Sequence, residues 1–305
     1  MDTMTLFLVS GLAAGCLYAL VALGFVLIFQ SSGVLNFAHG SFIAVAGFVT
    51  WLAAVRLEWL GFLGDRTAWR FIVALIIAAV ATALLAVLID RRLLAGMAGA
   101  PLFSLVLVTI GLDIVIRSAI STELPAGANA IGSPIRGQTV TIGTVNVATV
   151  DLWTIGLTVA IVGVLAWFFR TRSGLAIRSI AIDREAAESV GVPVDALVSA
   201  TWGLAGVLAA VAAALQLSKP GQGLDAQTAF FALRAFPCAV VGGLTSIPGA
   251  VLGGVGVGLV EGYVRFYHPG MLGGNFHLVA PYAVMVAVLL VRPHGLLGRP
   301  MEDRA

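Results

Sequence analysis

The sequence predicts an all-α, polytopic membrane protein of about eight to ten transmembrane helices, some of them broken or re-entrant. Three observations carry that expectation. Of 305 residues, 60% are hydrophobic and only 10% charged, whereas a soluble domain carries roughly 25% charged residues. Such a chain cannot cover a water-facing surface of its own size. Apolar runs near the length that crosses a bilayer, about 20 residues, recur from one end of the chain to the other. Finally, a net charge of +2 and a single lysine, Lys219, leave no basic patch for nucleic acid.

The amino-terminal MDTMTLFLVSG lacks a cationic segment of signal-peptide type, and the apolar stretch after it outruns a signal core, so it is expected to be the first span. Measured against the crossing length, nine segments qualify: 6–29, 40–55, 71–89, 101–120, 152–169, 194–217, 228–243, 250–267 and 276–291. The shorter ones are expected as half-helices, which a membrane tolerates only where freed backbone is buried in protein or faces a cavity. Residues 121–150 are expected to form an extracytoplasmic loop, with the alternation of TVTIGTVNV making a small β-hairpin. Nine crossings put Arg91, Arg92, the cluster Arg170, Arg172, Arg178 and Arg184, and the tail Arg292, Arg299 and Arg304 on one side. That clustering marks the side as cytoplasmic, although Arg56, Arg66, Arg70, Arg136, Lys219, Arg234 and Arg265, with Arg117 close by, nearly balance it. Cys16 and Cys238 lie in apolar runs and read as small core residues. The whole chain, 1–305, reads as one transmembrane domain.

Four polar features interrupt this pattern. In GLAIRSIAIDREAAESVGVP, Asp183 is a good N-cap, Glu185 favours the first turn, Gly191 takes the left-handed stop and Pro193 forbids continuation. The resulting two-turn helix offers Ala186, Ala187 and Val190 as a small face, with Arg184, Glu185 and Glu188 elsewhere; it is either a solvated connector or a peg for a partner's groove. Gly254, Gly258 and Gly262 recur at every fourth residue, and Gly249 with Gly253 forms a second such pair, which is a helix-packing signature in lipid. Asp113 with Arg117, and Glu261 with Arg265, are spaced i,i+4 near span ends, so neighbours are expected to neutralise them, and no lone carboxylate is expected at mid-span. In SSGVLNFAHGSF, Gly33 and Gly40 permit a break, and Asn36 and His39 share a face of any helical turn there. Unwound backbone with neutral donors and acceptors is one way to build a path for a small polar solute; the other reading is a plain cytoplasmic turn. His39, His268, His277 and His294 lack metal-ligand spacing, and no HExxH, GxSxG or GxxxxGK[ST] motif occurs. Intramembrane enzyme chemistry is therefore not expected, no cofactor is assigned to the chain, and any ATP must be bound and hydrolysed by other subunits.

The segments GCLYALVALGFVLIFQSSGVLNFAHGSF, GLAIRSIAIDREAAESVGV, AVVGGLTSIPGAVLGG and RPHGLLG together resemble the permease subunits of the branched-chain amino acid ABC transporter family, the LivH-type membrane components. Thr245, where related sequences often have glycine, and Leu296-Leu297, where Leu-Phe is common, depart from that pattern. The resemblance implies a multi-pass subunit of a bacterial inner membrane that pairs with an identical or related permease. It also implies two cytoplasmic ATPases, an extracytoplasmic solute-binding protein, and a solute that is a branched-chain amino acid or another small polar compound. It makes 171–193 the coupling loop, with Asp183, Arg184, Glu185, Ala186, Ala187 and Gly191 contacting an ATPase. Asn36 and His39, with Tyr18 and Gln30 on the preceding span, are the expected pathway residues. The alternative from another class is a stand-alone carrier or channel for a small neutral polar solute.

Overall fold

A computed structural model describes residues 2–56, 67–97, 99–124, 129–142, 145–225, 227–267 and 276–298. Its helices are α1 (Asp2–Ser32), α2 (His39–Trp51), α3 (Thr67–Ile89), α4 (Leu102–Glu123) and α5 (Thr149–Phe168). After them come α6 (Arg172–Ile182), α7 (Arg184–Ser189), α8 (Val194–Leu217), α9 (Phe231–Gly242), α10 (Ile247–Tyr267) and α11 (Phe276–Val291). All nine expected spans have a helical counterpart, and six of those helices are long and apolar enough to cross a membrane. The expected hairpin forms from β1 (Thr139–Ile142) and β2 (Val145–Ala148), with Thr139 opposite Ala148.

α1 is the mast of the bundle. From Ala13 to Phe29 it is buried on nearly every face, and it packs most heavily against α10 and then α8. Lipid tails are as apolar as leucine, so helix pairing in a bilayer depends on close backbone approach rather than on a hydrophobic drive. The glycine stripe of α10 supplies that approach: a Cβ on Gly254 would lie 2.6 Å from the Ala19 Cα, and one on Gly262 would lie 2.9 Å from the Gly11 Cα. Gly258 meets Gly15 between them, so the two helices run antiparallel. Gly249 and Gly253 serve a different neighbour, since both abut the backbone of Gly242 at the end of α9. The expected packing stripe is thus two stripes on two faces.

Two crossings are broken. α1 ends at Ser32, yet the His39 ring packs against Gly24 and Phe25, with ring centroids 4.8 Å apart for Phe25 and His39. Residues 33–38 therefore run back alongside α1 as non-helical chain before α2 begins. α9 is the second case: Phe231 stacks on Tyr18, midway along α1, at 5.5 Å between centroids, so this helix starts inside the bundle. Arg234, counted in the sequence with the charges of the opposing side, consequently lies within α9 rather than beyond it.

The two ends of the bundle are distinct. One carries the hairpin, Arg70, Arg136 and the Asp151–Lys219 ion pair at 3.7 Å. Burial pulls the Lys219 ammonium below the ordinary lysine value, and Asp151 works against that. The other end carries Arg91, Arg92, Arg170, Arg172, Arg178, Arg184 and Arg292, so the described members of the expected cationic cluster do fall together. A valine at Gly254 is expected to hold α1 and α10 apart, lowering stability by at least about 1–3 kcal/mol, while Gly256→Ala, where a Cβ meets nothing within 4 Å, leaves it unchanged; thermal unfolding in detergent reads the difference.

Candidate functional site

The break between α1 and α2 has its own set of bonds. The Asn36 Oδ1 accepts the Ala38 N–H at 3.1 Å, and the Asn36 carbonyl accepts the His39 N–H at 3.2 Å, so Asn36 turns the chain into α2. The Thr109 hydroxyl on α4 accepts the Phe37 N–H at 3.2 Å and lies 3.3 Å from the Leu35 carbonyl. Those partners answer for backbone that a bilayer would otherwise leave unpaired. The side chains are less satisfied: among the described residues, the Asn36 Nδ2 and both ring nitrogens of His39 are buried without a hydrogen-bond partner. Buried polar groups are normally paired, so these three atoms set the break apart from the apolar core around it. Asn36 and His39 are brought together as expected, though not on one helical face, because Asn36 precedes the helix.

Tyr18 is elsewhere. Its hydroxyl donates to the Glu261 Oε2 at 2.6 Å, which ties α1 to α10 beside the glycine contacts. Glu261 is buried, and among the described residues its hydrogen bond comes from Tyr18 rather than the expected neighbour Arg265. The Asp113–Arg117 pair, expected near a span end, instead has Asp113 at the midpoint of the 22-residue α4, although the carboxylate is paired as expected and is not a lone one. There the Ser41 hydroxyl donates to the Asp113 Oδ1 at 2.5 Å, Arg117 pairs with Asp113 at 3.1 Å, and the guanidinium lies 4.3 Å above the Phe230 ring. The four-residue spacing of Thr109, Asp113 and Arg117 was the signal for a polar face on α4, and apolar length alone hid its depth. Gln30 is half-buried close to the end of α1, apart from this group.

At the cationic end, α7 forms the expected short helix. The Asp183 Oδ1 accepts the Ala186 N–H at 3.0 Å, and Gly191 takes φ of 84° just past the helix. Arg184 bridges Glu188 at 3.2 Å and Asp195 at 2.9 Å; these groups are too exposed for either bridge to add more than about 1 kcal/mol. The expected face of Ala186, Ala187 and Val190 does not form. Ala187 turns inward and joins the core of Ile177, Ile180, Val194 and Val198, while Ala186 and Val190 point outward. Neighbouring positions on a helix diverge by about 100°, so a peg resting on α6 and α8 cannot present all three. Its exposed surface is mostly charged, with Glu185 and Glu188, and two apolar side chains flank it, Ile182 at 76% and Val190 at 78% exposure.

The chain matches the family model described as "Branched-chain amino acid transport system / permease component" over residues 7–289. Relatives include the high-affinity branched-chain amino acid transport system permease protein BraD of Pseudomonas aeruginosa, 28% identical, with 97% of this chain and 96% of that protein covered. LivH of Escherichia coli, a permease of the same description, is 29% identical over 97% and 96% of the two chains. A probable LivH of Methanocaldococcus jannaschii is 26% identical over 92% and 89%. Replacing Tyr18 with phenylalanine is expected to leave the buried Glu261 carboxyl without its donor and to cost about 1–2 kcal/mol; denaturation in detergent measures it, and Tyr263→Phe on the exposed side of α10 is the comparison.

Proposed function

Because the chain belongs to the branched-chain amino acid transport system permease family, we propose that it is the membrane subunit of an ABC importer in a bacterial plasma membrane. In this reading the hairpin end is extracytoplasmic and receives a solute-binding protein, and the cationic end faces two ATPases. A second permease, identical or related, completes the assembly. The solute is a branched-chain amino acid or a related small polar compound, the class named for the relatives.

The observation that carries this reading is the peg. A six-residue helix, capped by Asp183 and stopped at Gly191, stands at the end where the arginines gather, flanked by the exposed apolar side chains of Ile182 and Val190. Exposed apolar side chains flanking a short helix fit a hydrophobic groove on a partner, and no nucleotide-binding motif exists in this chain to move anything by itself. Closure of the ATPase pair would push α7, and Ala187, locked into the core beside α8, would pass the displacement into the bundle. Asn36 and His39 would line the route near the break, where their unpaired groups meet the solute or its water as the permease alternates between its two openings. Asp183, Arg184, Glu185, Ala186 and Gly191 set the shape of the peg rather than a chemical step.

Two outcomes test the reading. Ile182→Asp with Val190→Asp is expected to abolish co-purification with the ATPases while membrane insertion persists, and retained association would remove the peg from the interface. Asn36→Ala with His39→Ala is expected to reduce uptake at least tenfold with the ATPases still bound; uptake at the original rate would take both residues out of the route.

A further inference from the structure

Helix α8 holds its neighbours in two different ways. Residues 203–215 are all glycine, alanine, leucine or valine, side chains that cannot hydrogen-bond. There α8 approaches α3 by small-residue packing alone, and a Cβ on Gly206 would lie 2.9 Å from the Ala83 Cα. Its first turns make directional contacts instead. The Arg184 guanidinium of α7 donates to the Asp195 Oδ1 at 2.9 Å. The Ser199 hydroxyl donates to the Asp90 Oδ2 at 2.6 Å and accepts the Arg91 Nε–H at 3.0 Å, where α3 gives way to a π-helical turn, Asp90–Leu94. Single π turns are frequent at functional positions. The Thr201 hydroxyl donates to the Ser31 Oγ at 2.6 Å, and Ser31 donates on to the Ile28 carbonyl at 3.1 Å, so the last turn of α1 is tied to α8. The Trp202 ring meets the Phe42 ring of α2 edge-on, with centroids 6.5 Å apart. Ser31, Ser199 and Thr201 are all buried. Thr201 and Trp202 are consecutive, yet one touches the helix before the break at residues 33–38 and the other the helix after it. One turn earlier, Val194 and Val198 share the core with Ala187, and the Val192 N–H just ahead of α8 donates to the Ala187 carbonyl at 3.1 Å.

We infer that residues 194–202 of α8 form a lever joining α7 to the break between α1 and α2, with Ser199 and Thr201 as its positioning residues. Displacement of α7 moves this stretch together with the π turn of α3 and the last turn of α1, because directional hydrogen bonds fix both in register with it. Chains of hydrogen bonds and packed side chains are the physical means by which two separated sites share one displacement. Residues 33–38 take up the movement, since they carry no helical ladder to resist it. The inference rests on the importer reading and names the residues through which α7 acts on the route.

The test uses the complete importer in proteoliposomes, with Cys16 and Cys238 replaced by alanine and a reporter thiol, Leu35→Cys, at a half-buried position in the break. ATP with vanadate, which holds the ATPase pair closed, is expected to change the rate at which that thiol reacts with a water-soluble reagent by about fivefold or more. Adding Thr201→Val, which removes the hydroxyl and nearly keeps the shape, is expected to abolish the change while the ATPases stay bound and hydrolyse ATP. Thr201→Ser, which keeps the hydroxyl, is expected to preserve it. Ser31→Ala breaks the same bond from α1, gives the same loss, and carries the test where Thr201→Val does not assemble. A change that persists in an assembled variant lacking the bond, or that is lost in Thr201→Ser, overturns the lever and leaves the importer reading standing. No change with Ser31 and Thr201 both intact, or no ATPase bound, overturns the importer reading and the lever with it.

Discussion

Inside a bilayer every backbone amide must find its partner within protein, and this chain breaks two of its crossings at depth. Much of its polar sequence answers that constraint. At the first break Asn36 and Thr109 take the N–H groups of Phe37, Ala38 and His39. Above α9, the Asp225 carboxylate accepts the Gln227 N–H at 2.9 Å and the Thr228 hydroxyl at 3.0 Å, while Asn129 and Leu224 exchange backbone bonds. Below α9, Gly243 closes over the carbonyls of Ala239 and Val240. Residues that look like loop punctuation are thus the means by which irregular backbone survives without water.

The same constraint explains why α1 is so deeply enclosed. Half-helices bury too little of themselves to stand alone, so both α2 and α9 lean on a continuous neighbour. α1 provides Gly24 and Phe25 for one and Tyr18 for the other. α10 then clasps α1 from a further side through glycine, and the Tyr18–Glu261 bond fixes their register. The central helix is apolar all round because protein, not lipid, surrounds it.

Span positions were readable in the sequence because apolar length is a local property. The peg was readable for a similar reason: Asp183, Gly191 and Pro193 act on their immediate neighbours. Lateral relations were not. Nothing local in Glu261 says that Tyr18, 243 residues away, approaches more closely than its own helical neighbour. Ala187 turns inward because of what α6 and α8 leave open, and Asp113 is central because α4 extends to Glu123, beyond the apolar run that first marked it. Depth and facing are properties of the assembled bundle, whereas the sequence states only order and polarity.

The RPHGLLG tail has a consequence for synthesis. The Leu296 and Leu297 N–H groups donate to the carbonyls of Val241 and Gly242 at 2.8 and 3.1 Å, the last two that α9 leaves open. α9 therefore leaves the ribosome with its lower end unfinished and stays so until α10 and α11 have both been made. A nascent chain halted before that point holds a half-helix with exposed acceptors, a form that quality-control proteases and membrane chaperones would meet as incomplete.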